Sequence, residues 1–517
     1  MKQGVKDVSD SEYNVGFTIG ENSSNKFEFV IDDNTDIKKW EYVYLKINDN
    51  IVIGRIEEIL SKSELMNDTM DFQSIKKYTS NNISDSINVC LSTILGKLQD
   101  NYLMQSREII RPGIPVYKAD DAILKKLFSY NDEEALNIGS LPDNNVNVSI
   151  NINGLRRHLA ILAQTGAGKS HTAGVIMEEL LKKGASIIVL DPHADYVFMK
   201  KKLDGKMYSD NISVFRTPLS TGRYTKGDIG IVNNFTIRFG DLTMDDIKDI
   251  MDIKETYTNL TAIVDDIYKK MRGRKDLNDF IETAGKLPPE DYKKIKGRLT
   301  FLTKIKDIFQ DYTTGINDYL GPGKMSVMDL SGMDQFLANY FSFKVLSSVY
   351  DVKLSSEYKY PVFVFIEEAH NFAPPKKNSN ISKMIKKIAG EGRKFGIFLV
   401  VITQRPGKID SDVLSQCNSQ IILRVTNPAD QNAILESSEN ITNYLMNDLP
   451  SLDIGESILV GEIVKMPVIV KIRERETMAG GSDIDLISLL KEAREELKKA
   501  NDPEEIRKKN KNLLGEL

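Results

Sequence analysis

The chain has 517 residues, 41% of them hydrophobic and 28% charged, which describes an ordinary soluble protein of about three domains with room for a large core. A formal net charge of −5 excludes a global basic field, so contact with a nucleic acid needs a local cluster or several subunits lining one surface. Cys90 and Cys417, the only two cysteines, exclude a disulfide framework and a Cys-rich zinc site. His158, His171, His193 and His370 show no metal-ligand spacing and read as local hydrogen-bonding residues. The opening MKQGVKDVSDSEY has no apolar leader, and no run approaches the roughly 18 apolar residues of a membrane span. A cytoplasmic protein with no membrane partner is expected.

Residues 1–115 read as a small β-barrel. Val15–Ile19, Phe27–Ile31, Tyr42–Ile47 and Ile51–Ile59 are short runs rich in β-branched and aromatic residues, with Asn48-Asp49-Asn50 as a hairpin turn, and Ile87–Leu95 and Ser106–Arg111 are candidate further strands. Without a basic and aromatic strand face, an assembly collar is the preferred role over nucleic-acid binding. Arg111-Pro112-Gly113-Ile114-Pro115 breaks the pattern, and residues 116–146 read as a link that is helical or irregular.

From 147 an α/β core is expected, divided as 147–242 and 321–475 by a helical insertion over 243–320. The apolar run Leu159–Ala163 reads as a buried strand, and it breaks into Gln164-Thr165-Gly166-Ala167-Gly168-Lys169-Ser170 before a helical pattern. Strand, glycine-rich loop and helix in that order make a phosphate cradle. The glycines let successive N–H groups converge on phosphate oxygens at a helix N-terminus. Lys169 would reach the β- and γ-phosphates and Ser170 would hold Mg²⁺. Ala163 stands where the full pattern has glycine. His171 follows directly and is counted with the nucleotide-contacting set.

Ser186–Leu190 reads as a second parallel strand, and Asp191 at its end is a candidate for the Mg²⁺ or water shell, or a turn residue before Pro192. In the insertion, Leu260, Ile263, Val264 and Ile267 share a helical stripe, and Leu287-Pro288-Pro289 separates two helical groups. The sheet resumes at Met325–Leu330, followed by a helix from about Gln335. Pro361–Pro375, PVFVFIEEAHNFAPP, is a strand buried on both faces that ends in two carboxylates, about 200 residues beyond the phosphate loop. Glu367 would orient the Mg²⁺ hydration shell, and Glu368 would polarise the attacking water.

Between Lys376 and Lys394 lie six lysines and one arginine, either a surface repeated around a ring or a solvated helix face. Ile397–Thr403 and Gln420–Val425 complete the sheet. Gln404 can sense the γ-phosphate, and Gly407–Ser411 is expected to face a central channel. The tail, 476–517, is charged and helical, with Leu486, Leu490, Ala493 and Leu497 on one stripe that suits packing on a neighbouring subunit or on its own domain.

With those residues in hand, the chain resembles the HerA family of the HerA–FtsK group of ring ATPases. The resemblance is carried by Ile366-Glu367-Glu368-Ala369-His370-Asn371-Phe372, then Glu391–Gly396, then Thr403-Gln404-Arg405-Pro406. It implies a RecA-like P-loop NTPase core with a helical insertion, an N-terminal β-barrel and a C-terminal helical arm. It also implies a homohexamer that couples Mg²⁺-ATP hydrolysis to movement on double-stranded DNA, working with a NurA-like nuclease in end resection. An alternative within the same family is a ring that scaffolds and gates an effector in antiviral defence. The resemblance assigns Lys169 and Ser170 to nucleotide and Mg²⁺, Glu368 to water activation, Arg393 to an arginine finger entering the next subunit's site, and Arg157 to the subunit junction. Asp191-Pro192-His193-Ala194-Asp195-Tyr196 departs from the family's usual Asp-x-His-Gly-Glu-Tyr at Ala194 and Asp195. A stand-alone P-loop kinase or metabolic NTPase is the third reading, opposed by the Glu391–Gly396 run.

Overall fold

The computed structural model describes residues 14–480 and 486–500, apart from 33–34, 64, 67, 81–85, 100–101, 143, 145, 255, 272, 274, 377–378 and 439–440. Its first unit is built from β1 (Asn14–Ile19), β2 (Lys26–Ile31), β3 (Tyr42–Ile47), β4 (Asn50–Lys62), β5 (Ile87–Gln99), β6 (Tyr102–Met104) and β7 (Pro115–Lys118). The strands run in the order β2-β1-β7-β3-β4-β5-β6, and β2 also pairs with β5, so six strands close a barrel and β6 adds to its rim. Alternation explains the closure. Phe27, Phe29 and Ile31 point inward from β2 to meet Val43, Leu45, Val52 and Ile56. Asn48 and Asp49 take φ of 47° and 63°, the left-handed turn that joins β3 to β4 without splaying them.

Two expectations in this unit are corrected. Ser106–Arg111 forms no strand. Instead β7, at the start of the stretch expected as a link, fills the gap between β1 and β3. Pro115 is tolerated as the first residue of that strand because the ladder does not need its missing N–H.

The second unit is a sheet of twelve strands: β8 (Ala135–Ser140), β9 (Asn147–Asn151), β10 (Leu159–Leu162), β11 (Ser186–Asp191), β12 (Ile212–Arg216), β13 (Val232–Asn234), β14 (Met325–Asp329), β15 (Val362–Ile366), β16 (Ile397–Thr403), β17 (Ser419–Ile422), β18 (Glu456–Val460) and β19 (Val468–Ile472). The run β13-β12-β14-β11-β15-β16-β10-β17 is parallel throughout. From β17 the order continues antiparallel through β18, β19, β8 and β9. The link expected over 116–146 thus includes β8, an integral strand of the core sheet. Its sequence, ALNIGS, is too short and mixed to announce itself.

Every residue of β10, β11, β14 and β15 is buried, because helices cover both faces. Ala160 and Leu162 face one core, shared with the helices Gln335–Leu354 and Asn380–Phe395, and Leu159 and Ile161 face the other, under the helix Lys169–Lys182. Among the described residues, the insertion, which includes helices Met244–Ile250, Thr258–Lys270, Leu277–Gly285 and Pro289–Lys304, shares the core of the sheet: Ile263, Val264 and Ile267 join the first cluster. The fold is a P-loop α/β core behind a β-barrel. The tail helix Leu486–Ala500 exposes Leu486, Leu490 and Leu497, and 501–517 lies outside the described residues. No helix among the described residues is long and apolar enough to cross a membrane.

Candidate nucleotide site

The phosphate loop leaves β10 at the C-terminal edge of the parallel block. Ala163 N–H donates to the Thr403 carbonyl at 3.3 Å and Gln164 N–H to the Arg424 carbonyl at 2.9 Å, fixing where the loop begins. Gly166 and Gly168 take φ of 78° and 105°, and a Cβ on Gly166 would meet no atom within 4 Å, so the cradle stands open. Ala163 keeps an ordinary negative φ in the core, which is why alanine serves there.

Lys169 Nζ donates to Glu367 Oε1 and, at 3.2 Å, to Glu368 Oε1. Successive strand residues point to opposite faces, yet both carboxylates reach one ammonium. Glu368 makes this possible by taking φ 48° and ψ 47°, a left-handed kink at the strand end. Glu368 Oε2 lies 3.2 Å from His370 Nδ1, which is also 2.9 Å from Thr403 Oγ1. Burial pushes the Glu368 carboxyl upward, but His370 and Lys169 outweigh it and hold it at about 2.

Glu367 is fully buried, and its Oε2 accepts from the Tyr196 hydroxyl at 2.5 Å. Ser170 Oγ donates to Asp195 Oδ2 at 3.0 Å. Asp191 was expected either in the Mg²⁺ or water shell or as a turn residue, and its contacts are those of a turn residue. Its Oδ1 accepts from the N–H groups of His193 and Asp195 and its Oδ2 from that of Tyr196 at 2.9 Å, so the carboxylate anchors the turn that presents Asp195. Burial, with Asp195 adding to it, pushes Asp191 up to about 7. Thr165 Oγ1 donates to Gln404 Oε1, and Thr426 Oγ1 donates to Gln164 Oε1 at 2.8 Å. His171 turns away from the cradle, its Nε2 lying 2.8 Å from the Arg473 carbonyl. The residues present fit a magnesium nucleotide: an open anion cradle, an ammonium now spent on carboxylates, and hard oxygens on Ser170, Asp195 and Glu367.

Arg157 and Arg393 lie elsewhere. Arg157 ends the 3₁₀ turn just before β10, and Arg393 sits in the last turn of the helix that precedes β16. Both therefore occupy the N-terminal edge of the sheet, with Arg156, Lys394 and Glu462 lining the same cleft. A strand of four residues separates that edge from the phosphate loop, about 13 Å at 3.3 Å per residue.

Residues 136–349 match the family described as "Helicase HerA, central domain", and residues 15–100 match the HAS barrel domain. A protein of Sulfolobus acidocaldarius named "DNA double-strand break repair helicase HerA" is 30% identical over 93% of this chain and 97% of its own length. The chain belongs to the HerA family. Relatives with the same name from Pyrococcus furiosus and Sulfurisphaera tokodaii are 30% and 31% identical, over 90% and 94% of this chain and 93% and 98% of their own lengths. Among solved structures, VirB4 of Thermoanaerobacter pseudethanolicus is similar with a TM-score of 0.48 and 17% identity, covering 67% of this chain and 98% of that one. The conjugative coupling protein TrwB is similar at 0.48 and 12%, covering 71% and 94%.

In this HerA-family chain the structure gathers Lys169, Ser170, Glu367, Glu368 and Gln404 around one loop and leaves Arg157, Arg393 and His171 outside it. Tyr196 and Asp195 are the contacts that reading the sequence underrated. The signal was present, because Asp195-Tyr196 follows a strand-end aspartate, but the departure from the family pattern obscured it. The basic segment is also not one surface. Lys386 pairs with Asp410 at 2.7 Å, Lys387 lies 4.1 Å from the Tyr350 ring centroid, Arg393 and Lys394 face the cleft, and Lys377 lies outside the described residues.

Proposed function

We propose that this chain is an ATP-driven translocase or helicase on double-stranded DNA that hydrolyses ATP only at the seam between identical copies. The observation that carries the reading is the division of charge across the sheet. Lys169, Glu367 and Glu368 occupy its C-terminal edge, whereas Arg157 and Arg393 occupy its N-terminal edge. A lone protomer thus holds the phosphate-binding half of one site and the guanidinium half of another. Stacking copies head to tail in a closed ring, a homohexamer by family resemblance, brings the halves together.

The roles follow from that arrangement. The loop Gln164–Ser170 and Lys169 bind the phosphates, and Gln404, bonded to Thr165, reads the terminal one. Mg²⁺, when bound, neutralises charge developing on the phosphate oxygens, and Ser170, Glu367 and Asp195 are the residues that would hold it or its waters. Binding of phosphate draws Lys169 off the carboxylates and frees Glu368 to orient the attacking water. Arg393 of the neighbouring copy stabilises the charge spread over the equatorial oxygens, with Arg157 supporting the seam. The "DNA double-strand break repair" in the relatives' names supports double-stranded DNA as the track, and a NurA-like nuclease as partner rests on the family resemblance alone.

The test is ATP hydrolysis with and without duplex DNA on material whose solution mass is known. Hydrolysis that tracks the assembled species and rises with duplex DNA is expected. A fully active protomer, indifferent to DNA, overturns the reading.

A further inference from the structure

The C-terminal arm was expected to begin at residue 476 and to pack on a neighbouring subunit or on its own domain. The segment Arg473–Gly480 crosses the phosphate-loop helix. That helix presents Ser170, Gly174 and Glu178 on one stripe, four residues apart, and the crossing segment engages Glu178 and Gly174 and then reaches Asp195, the partner of Ser170.

At the far end, Glu178 is fully buried, and its Oε1 accepts from Glu476 N–H and Thr477 N–H, both at 2.9 Å, and from Thr477 Oγ1 at 2.7 Å. Arg473 adds Nη1 to Glu178 Oε2 and Nη2 to Glu179 Oε1, each at 2.9 Å. In the middle, the Arg475 guanidinium lies on Gly174, where a Cβ would stand 2.5 Å from Nε. Arg475 is 4% exposed and forms no salt bridge with a described residue. Its Nε and Nη2 donate to Thr477 Oγ1 at 3.3 and 3.0 Å, and Nη2 donates to the Met478 carbonyl at 3.1 Å. At the near end, Met478 N–H donates to the Lys201 carbonyl at 2.8 Å and Gly480 N–H to the Asp195 carbonyl at 2.9 Å. A Cβ on Gly480 would lie 2.4 Å from the Ala194 carbonyl oxygen, so glycine is required for this approach.

We propose that Arg473–Gly480 is a positioning strap that sets the Ser170–Asp195 pair, with Arg475 as its central positioning residue, so that the metal side of the nucleotide site forms only when the strap is seated. A buried guanidinium without a carboxylate partner is costly and would be replaced by an apolar residue if packing alone were needed. Its donors instead hold Thr477 and Met478, the residues that join the Glu178 end of the segment to the Asp195 end. Arg475 touches no phosphate-loop residue that would meet nucleotide; it acts through Gly174 below Ser170 and through the turn that carries Asp195.

The inference rests on the nucleotide reading above. The test measures the dissociation constant of a fluorescent ADP analogue by the full-length protein in EDTA and in excess Mg²⁺, for wild type, Arg475→Lys and Thr477→Val. Wild type is expected to bind more tightly with Mg²⁺. In both variants the Mg²⁺-dependent gain is expected to fall about tenfold, with binding in EDTA unchanged to within about twofold, as for other groups that orient a metal's ligands. If Arg475→Lys does not fold, Thr477→Val decides. A gain equal to wild type, or a loss of the same size in both conditions, overturns the strap, the second outcome leaving only a packing role. A wild-type protein that binds no nucleotide overturns the reading beneath it.

Discussion

Nδ1 of His158 accepts a hydrogen bond from the backbone N–H of Leu399 at 2.9 Å. Nε2 must then carry the proton, and it lies 3.1 Å from the Ala389 carbonyl, in the helix that bears Arg393. One neutral imidazole thus ties the start of β10, where Arg157 stands, to β16 and to the last turns of the Arg393 helix. The ring is 2% exposed, and burial pushes it down to about 4.

The sign of the pH effect follows. The unfolded chain, with an ordinary histidine near 6.5, binds a proton that the native state refuses until about pH 4. The stability owed to neutral His158 is complete above about pH 6.5, declines as pH falls toward 4, and amounts to on the order of 3 kcal/mol. Denaturant unfolding between pH 4 and pH 7 should show that decline in wild type and a shallower one in His158→Gln. Equal slopes would place the titration elsewhere.

In the nucleotide-free protein Glu368 is ionised at neutral pH, because His370 and Lys169 outweigh its burial and hold it at about 2. Glu368→Gln should retain nucleotide binding and lose about 10²-fold or more in turnover, as expected for a positioned base. Lys169→Ala should lose binding as well, which equilibrium titration with a labelled nucleotide separates from slow chemistry.

Placing Arg393 on the opposite sheet edge from Lys169 makes a complementation test decisive. In the proposed ring, Arg393→Ala and Lys169→Ala should each abolish activity, by about 10³-fold or more for the proposed finger. Mixed rings contain some seams with both residues intact and should recover part of the activity. Absence of rescue in assemblies shown by mass to be mixed would refute action across the seam.

Gly139 tests the junction of β8 with the core. A Cβ there would lie 2.0 Å from the Lys471 carbonyl oxygen, so Gly139→Ala forces β8 away from β19. A loss of about 1–3 kcal/mol is expected from such overpacking, read as a lower unfolding midpoint in urea. For the same reason a chain beginning at residue 147 should be far less stable than one beginning at 119, since the first lacks β8 and bares the edge of β19.

Much of this protein was legible because its chemistry is local. A glycine-rich turn between a buried strand and a helix needs only neighbours in sequence, and so do two acids ending an apolar strand. Leu159–Ser170 and Phe363–Glu368 therefore announced themselves, and β3 and β16 were legible to the residue. What stayed hidden depends on partners far along the chain. Pro115–Lys118 becomes a strand only because β1 and β3 leave a slot for it, and Ala135–Ser140 only because β19 offers an edge.

The candidate site divides along the same line. Residue types and their spacing alone led to the expectation that phosphate, a hard cation and a carboxylate base belong together here, because Gly166, Lys169, Ser170 and Glu368 suit that chemistry and sit at strand ends. Tertiary structure decided which contacts each of these residues makes. Asp191 faces backbone amides while Asp195 meets Ser170, and Arg157 and Arg393 stand a strand's length from the phosphate loop. The physical reason is that a carboxylate's role is set by which donors surround it and a guanidinium's by which edge it occupies, and both are properties of packing across hundreds of residues.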